Sequence, residues 1–514
     1  MQGRADAFVL TRPPVRSASF FWKRDSFQYC LNQNVELINL KGCGDVSSTN
    51  TSDQGTFSRV LDARTVVSII ASGSLAFCAI VFETSTNVAI PVMMSELGVD
   101  TATIQWITSA YLLVLSVTIP VFPVLKSRYS LRRLFAASTL SFTAGTLLCC
   151  TAATFPQLLL GRVIQGLGTG VAMPLMFNVV IDQVPFEHMG IMMGVASLII
   201  SLAPAIGPAY GGVVLEAFGW HAMFLFAVPL LAVAFVAGVV CLRQTTELAI
   251  RPFDATGLLL VASGFLLIVV GVNRLSNGGL TVFVAALLIA GLIFLVQFVR
   301  HARRAKYPLV SPEVFSSTRF MTSVAAIAGA SFVCLGYAWL IPNFTQVALG
   351  AGAKVSGLVV VPGCVATMLF SPVAGRLLDR KGPCAPIAAG ATLLVLGAIL
   401  MCIRSLDTVL GLAVWYLLSG MGEGLLASPS MTYGLSSLDD SLRADGTSVC
   451  NSLQQLGGSV GVSAVTAVVA AAQSSNADNA TGMVLGGQTA FVVLAIVAAV
   501  AAAFSLTALR FAKS

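Results

Sequence analysis

The chain has 514 residues, of which 56% are hydrophobic and only 10% are charged. A soluble domain averages about 25% charged residues, so this composition indicates a protein that resides in lipid. The net charge of +7 would suit a nucleic-acid partner, but the basic residues lie in short loops between apolar runs. That distribution is typical of the cytoplasmic face of a membrane protein, and we expect no nucleic-acid partner.

Cysteine and histidine give no sign of a cofactor. The eleven cysteines are scattered, mostly inside apolar runs, and none forms a metal-site spacing with a neighbouring histidine. They are therefore interpreted as small buried hydrophobic residues. With only His188, His221 and His301 in the chain, we expect neither a zinc site nor haem.

Residues 1–64 differ from the rest of the chain. They combine the basic, proline-containing stretch 12–16 with the polar run 47–52, and they lack the layout of a cleaved signal peptide. Two interpretations are open: a disordered cytoplasmic N-terminal tail, or a segment added by an upstream start site.

From Arg64 onward, apolar runs of about 20 residues recur, the length needed to cross a hydrocarbon core about 30 Å thick. They predict fourteen transmembrane helices. The predicted spans are 66–94, 103–125, 133–154, 157–181, 189–215, 221–242, 255–273, 280–299, 320–348, 355–375, 384–403, 408–434, 446–472 and 488–510.

The basic residues of the loops predict the orientation. With the N-terminus inside, fifteen fall in inward loops: Lys126, Arg128, Arg132, Arg133, Arg243, Arg251, Arg300, Arg303, Arg304, Lys306, Arg319, Arg376, Arg380, Lys381 and Arg443. Only Arg274, Lys354 and Arg404 fall in outward loops. This positive-inside bias requires an even number of helices and predicts that both termini are cytoplasmic.

An internal repeat divides the chain. Four residues recur at a constant offset of 252 positions: Pro120, Val121, Leu125 and Arg128 in one inward loop, and Pro372, Val373, Leu377 and Arg380 in another. Repeated halves that rock about a central site are a device of transporters. The alternative is chance similarity between two short loops. A repeat predicts six-helix bundles over 65–242 and 319–514, with two additional helices and a basic cytoplasmic loop over 243–318.

Five stretches of the sequence carry a family resemblance. They are Phe82–Pro91, Gln105–Leu112, Leu160–Gly170 with its Arg-x-x-Gln-Gly pattern, Ala203–Gly212, and Gly375–Gly382. Together they resemble the major facilitator superfamily, and within it the fourteen-helix drug:proton antiporters of the lincomycin-resistance type. In one inward loop, Ser127 and Ser130 stand where the family has Asp and Gly, which places the charge relay of the first half in doubt.

The resemblance implies a fold and a function. The fold is an all-α membrane protein with fourteen transmembrane helices, arranged as two six-helix halves plus two central extra helices. The function is export of drugs or other amphipathic or cationic small molecules, driven by proton antiport, by a monomer in the cell membrane. The alternative is a proton-coupled transporter of one metabolite, lipid or peptide, against which the run Ala203–Gly212 argues. No nucleophile, zinc or nucleotide motif indicates an enzyme or an ATP-driven pump.

Glu83 is the first candidate for proton coupling. It lies about 5 Å from the middle of the first predicted helix, at 1.5 Å per residue. An ionised carboxylate there costs roughly 2.5–3.5 kcal/mol on insertion scales. We therefore expect Glu83 to gain a proton from one side of the membrane and release it to the other, in competition with a cationic substrate. A packing role is the alternative.

Arg162 and Glu423 are the other two charged candidates. Arg162, in the fourth helix, needs a buried acceptor, which we expect to be Glu83 or a backbone carbonyl of the first helix. By resemblance, it serves proton coupling; a structural bridge is the alternative. Glu423 interrupts a glycine-rich run in the middle of the twelfth helix. It either faces the cavity as a second acid for cations or lies on the outer side with a water partner.

The remaining candidates are uncharged polar groups and motif residues. Polar side chains in mid-helix are expected to line the cavity, although interhelical hydrogen bonds explain them as well: Asn87, Gln105, Tyr111, Asn343, Gln346, Asn451, Gln454 and Gln455. By resemblance, the antiporter motif comprises Gly207, Pro208, Gly211 and Gly212, and the inward-loop motif comprises Arg128, Gly375, Asp379, Arg380 and Gly382. The first is expected to form a tight seam between the halves, and the second to hold the inward side closed.

Overall fold

The computed structural model describes residues 62–510 except 185, 245–251, 276–278, 280, 405–407 and 477. The predictions for the N-terminal tail, for Arg251 and for the C-terminus thus lie outside the described residues. Fourteen helices are long and apolar enough to cross a membrane, as predicted: α1 (Ala63–Leu97), α2 (Thr101–Arg128), α3 (Leu131–Cys150), α4 (Phe155–Gln183), α5 (Ile191–Phe218), α6 (Trp220–Cys241), α7 (Ala255–Arg274), α8 (Val282–Ala302), α9 (Thr318–Val347), α10 (Ala353–Lys381), α11 (Cys384–Ile403), α12 (Val409–Leu435), α13 (Arg443–Ser474) and α14 (Asn479–Arg510).

Capping residues set the helix ends that apolar runs predict poorly. Helix α14 begins at Asn479 rather than at 488, because Asp478 accepts hydrogen bonds from the backbone N–H groups of Ala480 (3.3 Å) and Thr481 (3.1 Å). Capping groups of this kind satisfy donors that the first turn of a helix leaves free. The segment 479–487 is polar and glycine-rich, so hydropathy alone does not include it.

The helices pack as two groups with a pair beside them. Helices α1–α6 form the first half and α9–α14 the second half. Helix α7 packs along α8 and also contacts α2 of the first half and α13 of the second. The exact domain boundaries at 242 and 318 stay predictions.

A glycine triplet repeats in equivalent places of the two halves. Gly168 of α4 packs against Ser138 and Phe142 of α3, and Gly422 of α12 packs against Gly390 of α11. The flanking glycines of each triplet, two residues to either side, face α2 in the first half and α10 in the second: Gly166, Gly170, Gly420 and Gly424. Small residues permit such close helix approach. The repeat found in two loops therefore extends into the packing of the helices.

The two ends of the bundle differ in how the halves meet. We call the end at which α2, α8 and α10 finish the basic end, because Lys126, Arg300 and Lys381 lie there, and the opposite one the far end. Toward the far end of α1, Asn343 of α9 donates a hydrogen bond to the carbonyl of Asn87 (3.3 Å). One turn further along α9, Gln346 donates to the carbonyl of Val88 (2.8 Å).

Helices α2 and α13 are joined in the same region. Thr101, at the far end of α2, donates to the side chain of Gln473 (2.7 Å). Deeper in the bundle, the hydroxyls of Ser109 and Ser463 lie 3.0 Å apart, and Ser459 donates to the carbonyl of Ser109 (3.0 Å). These polar contacts close the far half of the interface between the halves.

Helices α5 and α10 form the tightest part of this closure. A Cβ atom on Gly212 would lie 2.6 Å from the carbonyl oxygen of Ala353, and one on Gly357 would strike the carbonyl oxygen of Pro208. Both glycines are in ordinary helical segments, so it is the close approach of the two backbones that requires them.

Substitution of Gly357 tests this seam. We expect Gly357→Ala to lower the thermal unfolding midpoint of the purified protein, since overpacking a tight contact costs roughly 1–3 kcal/mol. Gly194→Ala is the matched control, because Gly194 also lies in helical backbone, in α5, but has open space around it, and alanine is the better helix former. Equal midpoints for the two variants would contradict a closed far end.

Candidate functional site

Glu83 is buried in the middle of α1. The residue is 6% exposed, and its side chain makes no hydrogen bond or ion pair with the described residues. Among the described residues, the cation within electrostatic range is Arg162, and the neutral hydroxyl of Tyr111 lies near both groups. No direct ion pair with a described residue therefore holds the carboxyl in its ionised form.

Arg162 of α4 is fully buried and is held by groups of the first half. Its Nε donates to the carbonyl oxygen of Ile107 (3.1 Å), and Nη1 donates to Oε1 of Gln165 (2.9 Å). The guanidinium carbon lies 4.2 Å from the centre of the Tyr111 ring. Nη2 has no hydrogen-bond partner among the described residues. One nitrogen of the buried guanidinium, Nη2, therefore has N–H groups that no described residue accepts.

Further side chains complete what we call the arginine network, comprising Tyr111, Thr146, Arg162, Gln165 and Thr169. Gln165 donates to the Thr146 hydroxyl (2.9 Å), so its amide is used on both sides. The Tyr111 hydroxyl lies within hydrogen-bonding distance of Thr169 (3.0 Å) and of a backbone carbonyl of α1 (3.2 Å). The network joins α1, α2, α3 and α4.

The expected acceptor for Arg162 was wrong. The sequence predicted Glu83 or a carbonyl of α1, whereas the carbonyl that accepts is that of Ile107 in α2. The reason is the ring of Tyr111, one turn further along α2, which lies under the guanidinium and orients it toward that helix. Helix α1 contributes instead the carbonyl of Ala79 to Tyr111.

The antiporter motif in α5 packs directly beside Glu83. A Cβ atom on Gly207 would strike the side chain of Thr84, and one on Gly211 would lie 2.9 Å from the backbone of Ser85. The residues that follow each of these glycines, Pro208 and Gly212, face α10 of the other half. The motif thus lies where α5 contacts both α1, the helix that carries Glu83, and α10 of the second half.

Glu423 lies in the second half and belongs to a different cluster. Its carboxyl lies against the Cys334 thiol of α9 and the Thr367 hydroxyl of α10. The glycine triplets align α4 with α12, and this alignment places Tyr416 where Arg162 stands and Glu423 where Thr169 stands. Each half therefore has one acid near the contact between its first and fourth helices.

Two predicted cavity residues lie in the closed interface. Asn87 is 1% exposed and its side chain accepts from Thr108 (3.0 Å), while Asn343 is 3% exposed and donates to the carbonyls of Asn87 and Trp339. Gln346 also donates across the halves. In this conformation the side chains of Asn343 and Gln346 join the halves, whereas that of Asn87 bonds within the first half. Their part in substrate binding stays a prediction.

Other predicted cavity residues have side-chain amides that make no hydrogen bond with the described residues. Gln105 is fully buried, yet neither the nitrogen nor the oxygen of its amide has a hydrogen-bond partner among the described residues. On α13, the amides of Asn451, Gln454 and Gln455 are partly exposed and make no hydrogen bond with described residues. Their spacing of three and four residues places them on one face of the helix, nearer the basic end than Ser459.

The two copies of the inward-loop motif make different contacts. The sequence placed the charge contacts of the first copy in doubt and not those of the second, and the structure shows the reverse. In the first copy, Lys126 forms an ion pair with Asp182 of α4 (2.8 Å) and donates to Asn178 (2.6 Å), so α2 and α4 are linked although Ser127 replaces the usual acid. Arg128, in the same loop, is also engaged. Asp182 on α4 thus pairs with a basic loop residue, although the loop itself lacks the family's acid at Ser127.

In the second copy, the charges do not hold a neighbouring helix. Asp379 and Arg380 are exposed and make no ion pair or hydrogen bond with the described residues. Gly375 has open space around it, and Gly382 ends α10 with a φ of 75°, which favours glycine.

Sequence reasoning missed several residues of the site. Gln165 was recognised only as part of a family pattern, and Thr146 and Thr169 were not singled out because single hydroxyls are common in membrane helices. The environment of Glu423 was also missed, since Cys334 and Thr367 come from helices remote in sequence. The glycine triplets could have revealed the correspondence between α4 and α12.

Comparisons with known proteins agree with this architecture. Residues 73–462 match the sequence model of the Major Facilitator Superfamily. The chain is 32% identical over 449 residues to the lincomycin resistance protein LmrB of Bacillus subtilis, a match that covers 84% of this chain and 93% of that protein. It is 28% identical over 392 residues to a multidrug resistance protein B homolog of Mycobacterium tuberculosis, covering 75% and 73%.

A solved structure shares the fold. The crystal structure of a bacterial homolog to the human lysosomal transporter Spinster, in an inward-facing and unoccupied conformation, superposes with a TM-score of 0.65 at 13% identity, covering 88% of this chain and 98% of that one. The matched family sequence, the LmrB relative and the fourteen spans together confirm the predicted resemblance. The chain belongs to the major facilitator superfamily and is a multi-pass membrane transporter.

Proposed function

We propose that this protein exports amphipathic small molecules, cationic ones among them, in exchange for protons. The observation that carries the proposal is the pair formed by Glu83, which has no partner among the described residues, and Arg162, which has one unused donor nitrogen, in electrostatic range of each other inside the bundle. Relatives named as lincomycin and multidrug resistance proteins support export of drugs. The wider family supports a gradient, rather than ATP, as the energy source.

The exchange follows from the chemistry of these two groups. When Glu83 is ionised, its charge is stabilised by the nearby guanidinium or by a cationic substrate. When a proton arrives, the carboxyl becomes neutral and releases the substrate. Proton and cation therefore compete for one carboxyl, which is the requirement for antiport. The unpartnered amides of Gln105, Asn451 and Gln454 supply hydrogen-bonding groups to a polar part of the substrate.

Alternating access would use the seams already described. The far half of the interface is closed by α1, α2 and α5 against α9, α13 and α10. Because α5 touches α1 at Thr84 and Ser85, opening this seam changes the surroundings of Glu83. Protonation and conformation are thereby coupled through direct packing.

Replacement of Glu83 tests the proton site. We expect Glu83→Gln to abolish proton-driven efflux, because an amide cannot titrate, while protein levels remain normal. The measurement is dye efflux in inverted vesicles with an imposed and then a collapsed pH gradient. Glu83→Asp should keep part of the activity, and Glu313→Gln, which removes an exposed carboxylate outside the bundle, should keep all of it. Wild-type pumping by the Gln variant would exclude Glu83 as the proton carrier.

We propose that Glu423 is a second acid, used for cationic substrates. It lies in the second half at the register of Thr169, near the contact of α9 with α12, and glycines flank it on both sides. Both glycines pack closely against neighbouring helices, Gly422 against α11 and Gly424 against α10, so the proposal rests on the carboxylate, which would favour a positive charge.

Comparison of two substrates distinguishes this role from packing. Glu423→Gln should weaken resistance to a permanently cationic dye by about ten-fold, the effect of one charge pair of roughly 1–2 kcal/mol in a wet cavity, and spare a neutral drug. Resistance is measured for both compounds and normalised to protein level. A uniform loss for both compounds would remove Glu423 from the substrate site.

We propose that the basic end is cytoplasmic, on the positive-inside distribution of loop residues. In a variant without the native cysteines, Lys306→Cys, in the exposed loop after α8, should then resist an impermeant maleimide in intact cells and react in inverted vesicles. Lys354→Cys is the matched control, since Lys354 is exposed at the far end and should react in intact cells. Labelling of position 306 from outside would reverse the orientation.

A further inference from the structure

A cavity of about 590 Å³ lies between the two extra helices, away from the site described above. It is lined by Leu260 of α7 and by Gln297, Arg300, His301 and Arg304 of α8 and the residues that follow it. Leu260 is about 8 Å into α7 from the basic end, at 1.5 Å per residue. The cavity therefore spans the level at which the apolar helices meet the basic loops.

The polar lining follows one side of α8 and the turn after it. Gln297, Arg300 and His301, spaced at helical intervals of three and four residues, share one face of the helix, and Arg304 lies in the turn that follows Ala302. Arg300 and Arg304 are exposed and make no ion pair or hydrogen bond with the described residues. Two guanidinium groups thus point into the same cavity with no acid of the described chain to neutralise them.

A buried carboxylate, that of Asp254, holds His301 of the cavity lining in place. Asp254, whose side chain is 6% exposed, accepts hydrogen bonds from Nε2 of His301 (2.8 Å) and from the backbone N–H groups of Gly257 (2.8 Å) and Leu309 (3.2 Å). It therefore ties the start of α7, the end of α8 and the loop beyond α8 together. The wall that carries the two arginines is fixed rather than dependent on a ligand.

The surroundings of the cavity are apolar and face lipid. Helix α8 is the least buried of the fourteen spans, and its exposed side chains include Leu292, Ile293 and Val296. A molecule that fills the cavity must combine a negative charge at the basic end with an apolar part along the helices. Basic pockets between helices near a membrane surface bind lipid head groups in this way.

We propose that this cavity binds an anionic phospholipid, with its phosphate between Arg300 and Arg304 and its acyl region along Leu260 and the apolar face of α8. Guanidinium groups suit this ligand because their N–H groups match pairs of phosphate oxygens. This site is separate from the proton and substrate site. It gives the two extra helices a specific contact with a membrane lipid.

Lipid titration followed by native mass spectrometry tests the proposal. The purified full-length protein is titrated with phosphatidylglycerol, phosphatidylcholine or soluble glycerol phosphate. We expect phosphatidylglycerol to bind tightest, and the variant R300Q/R304Q to bind it about twenty-five-fold more weakly, at about five-fold for each basic residue. The matched control R303Q/K306Q removes the same charge from exposed neighbours outside the cavity, and should lose about five-fold or less.

Several results would overturn the proposal. An equal loss in the two double variants would mean that only total charge matters, and equal binding of phosphatidylcholine would mean that the site does not select an anion. Displacement of the lipid by glycerol phosphate at equal concentration would assign the cavity to soluble anions. If R300Q/R304Q does not fold, the single variants R300Q and R304Q replace it, each with an expected loss of about five-fold, and unchanged binding in both would be contrary evidence.

Discussion

A guanidinium with no access to water is the constraint on which the first half of the protein depends. Arg162 is fully buried, and a buried cation must find acceptors within the bundle. It does so with a backbone carbonyl of α2 and the amide of Gln165, and it rests on the face of Tyr111. These partners come from two helices and are themselves held by two more, so the position of the cation fixes the packing of α1–α4.

The second half shares the packing of the first but not its charge. Where α4 carries Arg162, α12 carries Tyr416, and the residue of α10 that corresponds to Tyr111 is Gly363, which accommodates the Tyr416 ring. Removal of the cation from this half removes the need for a network around it. The acid Glu423 is left with a thiol and a hydroxyl as neighbours. Repetition of the glycine seams thus preserves the fold, while the charged groups differ and give two unlike halves.

The sequence predicted the number of helices, because each span needs an apolar run and the hydropathy of fourteen runs is unambiguous. It also predicted that Glu83 and Arg162 are buried in the bundle, since ionisable residues in membrane helices are rare. It failed where a contact depends on the relative rotation of two helices. The acceptor of Arg162 lies on α2 rather than α1. Apolar periodicity carries little information about rotation in a bundle whose helices are buried on several sides.

The polar groups of α13 are used unequally along the helix. Ser459 and Ser463 use their hydroxyls against α2 of the first half. Nearer the basic end, the amides of Asn451 and Gln454 have no partners in the described chain. Gln454 lies three and seven residues before Gly457 and Gly461, which pack against α9, so its row of the helix faces the second half rather than α2. The polar contacts that α13 makes with the first half are therefore concentrated toward the far end, and it is there that the halves are joined in this conformation.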